Sequence, residues 1–283
     1  MPIRFSPVVA TLARGNRDGL SARSLDLREL GDLVSPIVVF DDFRATGRPF
    51  GPHPHAGFSA VTYVFEDSPG ALRSRDSLGH DRVIGPGGLC WTQAGRGLIH
   101  EELPADPDLE LHGLQVFVNL SSKYKLAEPR VLWLDRSEVP EWRSGVGDCV
   151  RIVVGSFEAA SSPLIPPEPF DLRDVDLKSE VSLNLQRAHN ALVYVQTGSI
   201  VARAERRGQK IAEGHALALS GGPGCVTLAA LRPAHLVILS GPQFREPVYA
   251  DGPFIMNRRS EVEDAVARYR AGEMGHLAPL PEN

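Results

Sequence analysis

The chain contains His53-Pro54-His55 and, further on, His100-Glu101-Glu102. In an extended strand, residues two apart project from the same face, so His53 pairs with His55 and His100 with Glu102, while Pro54 and Glu101 point the other way. Two neighbouring strands can then offer three imidazoles and one carboxylate to a single point. That donor set suits a divalent transition ion, and in five- or six-coordination it leaves one or two positions for water, substrate or O2. It does not separate Fe(II) from Ni, Mn, Co, Cu or Zn, because affinity order and availability decide which ion is loaded.

The plain alternative is a surface or core histidine. With 9 His among 283 residues, chance supplies roughly 0.3 His-x-His pairs, so the pair alone proves little. Its company says more. Residues 52–58 read PHPHAGF and 94–100 read AGRGLIH, with glycines that permit tight turns and close backbone approach at a barrel mouth. His80 reads as a solvated turn histidine or a proton shuttle at the same mouth. His112 reads as a hydrogen-bonded structural residue or a contact behind the ligands. Gln115 shares a strand face with Phe117 and projects inward. Arg96, between two glycines, pairs with a carboxylate or holds its loop. Glu101 reads as a salt-bridge partner, and Cys90 as pocket lining or inert packing. His189, His215 and His235 stand singly and read as structural or exposed.

Such a ligand set needs paired strands, and the chain supplies them. Apolar and β-branched runs recur at 36–40, 61–65, 114–120, 130–134, 150–154, 191–195, 199–204, 225–230 and 235–239, bounded by Gly, Pro or Asp clusters. This is the rhythm of an all-β sandwich or barrel, without the helical periods of α/β layering. One helix is predicted at about 260–271, with Ser260 as N-cap, Glu263 completing a capping box, an apolar stripe at Val262, Ala265, Val266 and Tyr269, and Gly272 as its stop. Being short, it should dock against a barrel wall. The proline-rich stretch 159–169 reads as an inter-domain crossing or a long surface connection.

Composition narrows the function. At 42% hydrophobic, 283 residues can bury a full core, and Gly 27 with Pro 23 points to many turns. Lys plus Arg is 30 and Asp plus Glu is 35, a net charge of −5 without blocks of like charge, which argues against nucleic acid held through its phosphates. Three cysteines without a CxxC pair suggest neither a disulfide framework nor a cysteine zinc site and fit a reducing, cytoplasmic setting. The segment FSPVVATLA near the N-terminus is a poor signal-peptide core. The uncharged stretch 214–231 is interrupted by Gly221-Gly222-Pro223-Gly224 and reads as strand, turn, strand rather than a membrane span. GxSxG, P-loop and GxGxxG signatures are absent, so serine hydrolase, NTPase and Rossmann readings lose their main support.

At HPHAGFSAVTY (53–63), GPGGLCWTQAGRGLIHEE (85–102), HGLQVFVNL (112–120) and REPVYADGPFIMN (245–257) the sequence resembles the pirins, bicupin members of the cupin superfamily. The resemblance implies two cupin (jelly-roll) barrels plus a C-terminal helix: a metal-binding domain over 1–140 and a metal-free, cupin-like domain over 141–283. It implies metal ligands at His53, His55, His100 and Glu102, with iron the usual ion. The chain departs from the family pattern at Ala56, where an arginine is common, at Ser59 for glutamate, at Gly88 for aspartate, and at Cys90 for a polar amide.

Two functions follow from the resemblance. One is a mononuclear dioxygenase similar to pirins with quercetinase activity, cleaving a small aromatic substrate with O2, with Glu102 as both ligand and base. The other is a non-enzymatic, metal-dependent regulatory protein or transcriptional co-regulator that acts on a protein partner. In either case the expectation is a monomer without membrane or direct nucleic-acid contact.

Overall fold

A computed structural model describes residues 2–17 and 19–281. In the first half of the chain, the short alternating runs pair into two sheets. The larger runs in the order Arg130–Leu134, Leu89–Gln93, Phe58–Val64, Leu111–Asn119, Ile37–Ala45, Leu20–Ser24 and Leu12–Arg17. The smaller runs His53–His55, Leu98–Pro104, Leu72–Asp76 and Asp81–Ile84. Val64, Cys90 and Leu111 from the first sheet pack with Leu72, Ile84 and Leu98 from the second, so the two close face to face over one core. Each such side chain contributes roughly 1.5–3 kcal/mol when withdrawn from water. Phe58–Val64 is buried at every position, which explains why it reads as a nearly continuous apolar run rather than an alternating one.

The other unit comprises residues up to Leu12, 23–38 and 138–243. Its sheet runs Arg4–Ala10, His215–Gly221, His189–Ala204, Gly224–Pro242, Asp171–Leu177, Cys149–Val154 and Glu141–Arg143, with two further strands paired onto the long ones. Sequence runs expected as separate strands are joined here: 191–195 and 199–204 lie in one strand of 16 residues, and 225–230 and 235–239 in one of 19. Register shifts between Val195 and Ile200 explain this, because bulges bend a strand without ending it. The reading of 214–231 as strand, turn, strand matches His215–Gly221 and Gly224–Pro242. Among the described residues, no helix is long and apolar enough to cross a membrane.

The two units meet in sequence at Ser137 and Glu138, and the chain ends are exchanged between them. Arg4–Ala10 pairs with His215–Gly221, while the segment from Phe244 onward belongs with 39–137. The proline-rich stretch lies inside the second unit, between the short strand Ala160–Ser161 and Asp171–Leu177, so it is a connection within one unit and not a crossing between two.

The terminal helix spans Arg259–Arg270. Its N-cap is Arg258 rather than Ser260: the helix starts early enough to put Ser260 in the first turn, and Glu261, not Glu263, reaches back. Its Oε2 accepts from the backbone N–H of Asn257 at 3.1 Å and of Arg258 at 3.0 Å. Gly272, at φ +76°, follows the C-cap as expected. Of the predicted apolar stripe, Val262 and Ala265 pack with Ala56, Phe254, Met256 and Met274, Val266 is partly buried against them, and Tyr269 stays exposed.

Candidate metal centre

His53–His55 and Leu98–Pro104 are antiparallel neighbours, with His100 directly opposite His53 and Leu98 opposite His55. Cross-strand pairing therefore puts two imidazoles on one face, and the two-residue period adds His55 and Glu102. Glu101, on the opposite face, takes Arg75 Nη1 on its carboxylate at 2.5 Å, the salt bridge its parity implied.

The three imidazoles form a triangle, with ring centroids 4.8 Å (His53 to His55), 4.7 Å (His53 to His100) and 4.6 Å (His55 to His100) apart. One nitrogen from each lies within 4.8 Å of the others. His53 Nδ1 sits 2.9 Å from the Gly51 carbonyl, an arrangement that puts the ring proton on Nδ1 and leaves Nε2 bare. That Nε2 lies 3.2 Å from His100 Nε2. Burial, with His53 adding to it, pushes the His55 imidazole down to about 3, and burial with both neighbouring histidines takes His100 well below its ordinary value. Rings held neutral in this way are ready ligands.

Glu102 stands beside the triangle rather than within it. Its Oε1 is 4.0 Å from His100 Nδ1, and its Oε2 accepts a hydrogen bond from Thr62 Oγ1 at 2.5 Å. Burial pushes its carboxyl up to about 7, against the Thr62 and Cys90 hydrogen bonds that favour the ionised form. Glu102 Oε1, His55 Nδ1 and His100 Nδ1 are buried with no hydrogen-bond partner. Neutral imidazoles around buried polar atoms without partners fit a divalent transition ion.

The triangle opens into a cavity of about 420 Å³, bounded by apolar residues including Phe43, Phe50, Leu72, Leu111 and Phe117, with Gln115, Asp41 and Arg14 as further polar lining. Gln115 thus faces inward as predicted. His55 packs edge-on against Phe58 and Phe117, at centroid distances of 5.0 Å and 5.3 Å, which fixes its ring.

Of the other sequence candidates, Cys90 reaches Glu102, while His80, His112 and Arg96 hold other partners. His80 bonds Asp76 at 2.9 Å and packs on Trp133, and His112 is gripped by Asp67 at 2.9 Å and Asp42 at 3.0 Å. Arg96 pairs with Glu128 at 3.1 Å. Cys90 is buried, 3.4 Å from Ser74 Oγ, and burial raises its thiol pKa. Ala56 and Ser59 are fully buried, so the charges common there in pirins would have no solvent here. A Cβ on Gly88 would meet Ile84 at 2.6 Å, which leaves no room for aspartate.

Lys125 carries no short-range signal in the sequence. Its buried ammonium donates to Gly57 O at 2.7 Å, to Ile255 O at 2.8 Å and to Asn119 Oδ1, tying the histidine loop to the C-terminal hairpin. Gly57 lies at φ +86°, and a Cβ there would fall 1.9 Å from Ile255 O, so only glycine allows this approach.

Residues 28–118 match the family description "Pirin" and residues 172–275 match "Pirin C-terminal cupin domain". Human pirin is 33% identical over 276 residues, covering 94% of this chain and 93% of that protein. A Pseudomonas aeruginosa protein named "Putative quercetin 2,3-dioxygenase PA3240" is 33% identical over 255 residues, covering 85% of this chain and 87% of its own. Among solved structures, a quercetin 2,3-dioxygenase from Acinetobacter baumannii superposes with a TM-score of 0.85 at 23% identity, covering 98% of this chain and all (100%) of that one. The Escherichia coli pirin YhhW, solved in complex with nickel(II), superposes with a TM-score of 0.65 at 18% identity over 86% of this chain and 100% of its own. With matches that run through both halves and nearly the full length, the chain belongs to the pirin family.

Proposed function

We propose that this protein is a mononuclear metal-dependent dioxygenase that opens the ring of a flavonol or a similar aromatic enol. The observation that carries the reading is the placing of three clustered imidazoles at the wall of an apolar cavity large enough for a flat aromatic molecule. His53, His55 and His100 would hold the ion, with Glu102 as the fourth ligand, and Fe(II) is the ion we propose. When bound, the ion supplies Lewis acidity toward the substrate oxygens and the redox chemistry that O2 requires.

The remaining roles fall to the chain itself. Glu102, standing beside the imidazole triangle, can accept the enol proton and return it to product. Thr62 orients that carboxylate. Phe43, Phe50 and Phe117 exclude water and hold the ring system flat. The balanced reaction consumes one O2 per flavonol and releases one carbon monoxide with the ring-opened ester.

The test combines elemental analysis with O2 uptake. The purified protein should hold close to one ion per chain and consume O2 with quercetin, and His55→Ala should abolish both. A full complement of metal without O2 uptake across a panel of flavonols would overturn the reading in favour of a regulatory role.

A further inference from the structure

The strand Ile37–Ala45 forms part of the cavity wall. Val39, Asp41, Phe43 and Ala45 line the cavity, while the intervening Phe40 and Asp42 are buried off it, Asp42 meeting His112 at 3.0 Å. Asp41 is thus the one charged side chain that this strand turns to the cavity, and it is flanked on that face by Val39 and Phe43. No hydrogen bond or ion pair joins its carboxylate to another described residue. The contrast with Asp42 is direct: of two adjacent aspartates, one meets a histidine and the other faces open space that also holds the three imidazoles.

We propose that Asp41 is the specificity-determining residue of this cavity, its carboxylate accepting a hydrogen bond from a phenolic hydroxyl that the substrate carries away from its chelating oxygens. The inference rests on the dioxygenase reading and names the substrate class within it. A carboxylate's oxygens are hydrogen-bond acceptors, so it selects a donor. Set among apolar side chains, it rewards a ligand that supplies that donor and disfavours one that leaves it desolvated and unpaired. Arg14, at the exposed rim of the same lining, places a positive charge on the cavity and makes a neutral polyphenol compatible with it. The substrate is therefore a flat phenol with oxygen at both ends: a chelating pair toward His53, His55 and His100, and a hydroxyl toward Asp41.

Binding separates this from the reaction itself. Three probes are matched: 3-hydroxyflavone, which has no remote hydroxyl, and its 4′-hydroxy and 3′,4′-dihydroxy derivatives. Affinities come from fluorescence quenching and calorimetry under nitrogen, so that no turnover intervenes. The parent should bind the hydroxylated probes about tenfold tighter than 3-hydroxyflavone, a typical return for one hydrogen bond to a charged group. Asp41→Leu, which completes the apolar wall, should collapse that ratio to less than about twofold while 3-hydroxyflavone binds at least as well as before. Asp41→Asn, which keeps shape and an acceptor oxygen, should fall between the two. Equal affinity of the parent for all three probes, or equal weakening of all three by Asp41→Leu, overturns the proposal. O2 uptake with 3-hydroxyflavone is the separate check on the dioxygenase reading, because that probe needs nothing from Asp41. Failure of the parent to bind any of the three overturns both.

Discussion

The two cupin units use the same inward and outward alternation but fill their interiors with different chemistry. Inward positions of the second unit hold an aliphatic cluster that includes Val193 and Val195, Leu217 and Leu219, and Leu236 and Ile238, with buried charges such as Arg173 and Asp174 on a neighbouring strand. At inward positions of the first unit stand His53 and His55, then His100 and Glu102, beside a cavity. The histidines of the second unit stand singly: His235 is held by Gln196 and Asp174 and His215 by the Glu213 carbonyl at 2.8 Å, while His189 Nδ1 is buried without a partner among the described residues. An aliphatic interior stabilises by burial and packing. An interior of imidazoles with unpartnered nitrogens gives up part of that stabilisation and acquires a site. The physical lesson is that i, i+2 spacing specifies the barrel, and residue type at those positions specifies whether the barrel does chemistry.

Removing a ligand should break this contrast most sharply. His100→Ala takes away the residue that neighbours both other imidazoles. Elemental analysis should show metal content falling from close to one ion per chain to near zero, and titration should show affinity weakened more than about a hundredfold, beyond the 10- to 100-fold typical of losing a mere supporting contact. The metal-free variant should unfold no more easily than the metal-free parent, because a buried nitrogen without a partner has gone with it. A variant that kept its metal would show that the triangle is not the site.

The mirror experiment lies in the second unit. Leu236 is fully buried in the aliphatic core, so Leu236→Ala should cost about 2–5 kcal/mol in denaturant unfolding. Metal stoichiometry should be unchanged. Loss of metal with little loss of stability would mean that the aliphatic interior is not the structural counterpart argued here.

How much of this was legible in the sequence depended on whether a signal was local. Strand parity placed His53, His55, His100 and Glu102 on one face and Glu101 on the other, because a period of two survives any tertiary context. Gln115 followed from its parity with Phe117. Long strands such as His189–Ala204 read as two because a bulge at Thr197 and Gly198 mimics a turn. The exchange of chain ends was invisible, since pairing of Arg4–Ala10 with His215–Gly221 is a contact across some two hundred residues that no window samples. Lys125 and Thr62 were missed for the same reason: their partners lie far away in sequence, and a lysine after a strand looks like any solvated lysine. Asp41 was within reach, because its alternation with Asp42 is local, but the direction of each face required the structure.

The two interiors should also differ in their response to protons. Burial holds His55 and His100 neutral, so in the proposed ligand set the proton that must leave when a dication binds is the one on Glu102, whose carboxyl is raised to about 7. Apparent metal affinity should climb about tenfold per pH unit up to that point and level off above it. For the metal-free fold the sign reverses. The folded carboxyl keeps a proton that the unfolded chain, at 4.5, has released, so its contribution is complete below about 4.5 and is lost as pH rises through about 7. Glu102→Gln should flatten both dependences, while Leu236→Ala should leave both slopes in place. Calorimetry in buffers of different ionisation heat counts the released proton directly, and a count of zero at pH 6 would remove Glu102 from the ligand set.

The smallest expected effect isolates a contact that only the polar interior needs. Thr62 lies opposite both Cys90 and Gln115 in its sheet, and its hydroxyl reaches Glu102 Oε2 at 2.5 Å. Thr62→Val keeps the branched shape and removes only the donor, so packing is little disturbed. Without that hydrogen bond the carboxylate is less well oriented, and metal affinity should weaken about tenfold, at the lower end of the range for groups that orient a ligand. The same hydrogen bond favours the ionised carboxylate, so its loss should also move the midpoint of the metal-binding pH profile upward. A purely structural role for Thr62 would lower the unfolding free energy and leave that midpoint where it was. Because the aliphatic unit has no buried ligand to orient, the matched change there, Val195→Thr, should act only on stability, and measuring both substitutions by the same pH titration separates orientation of a ligand from packing of a wall.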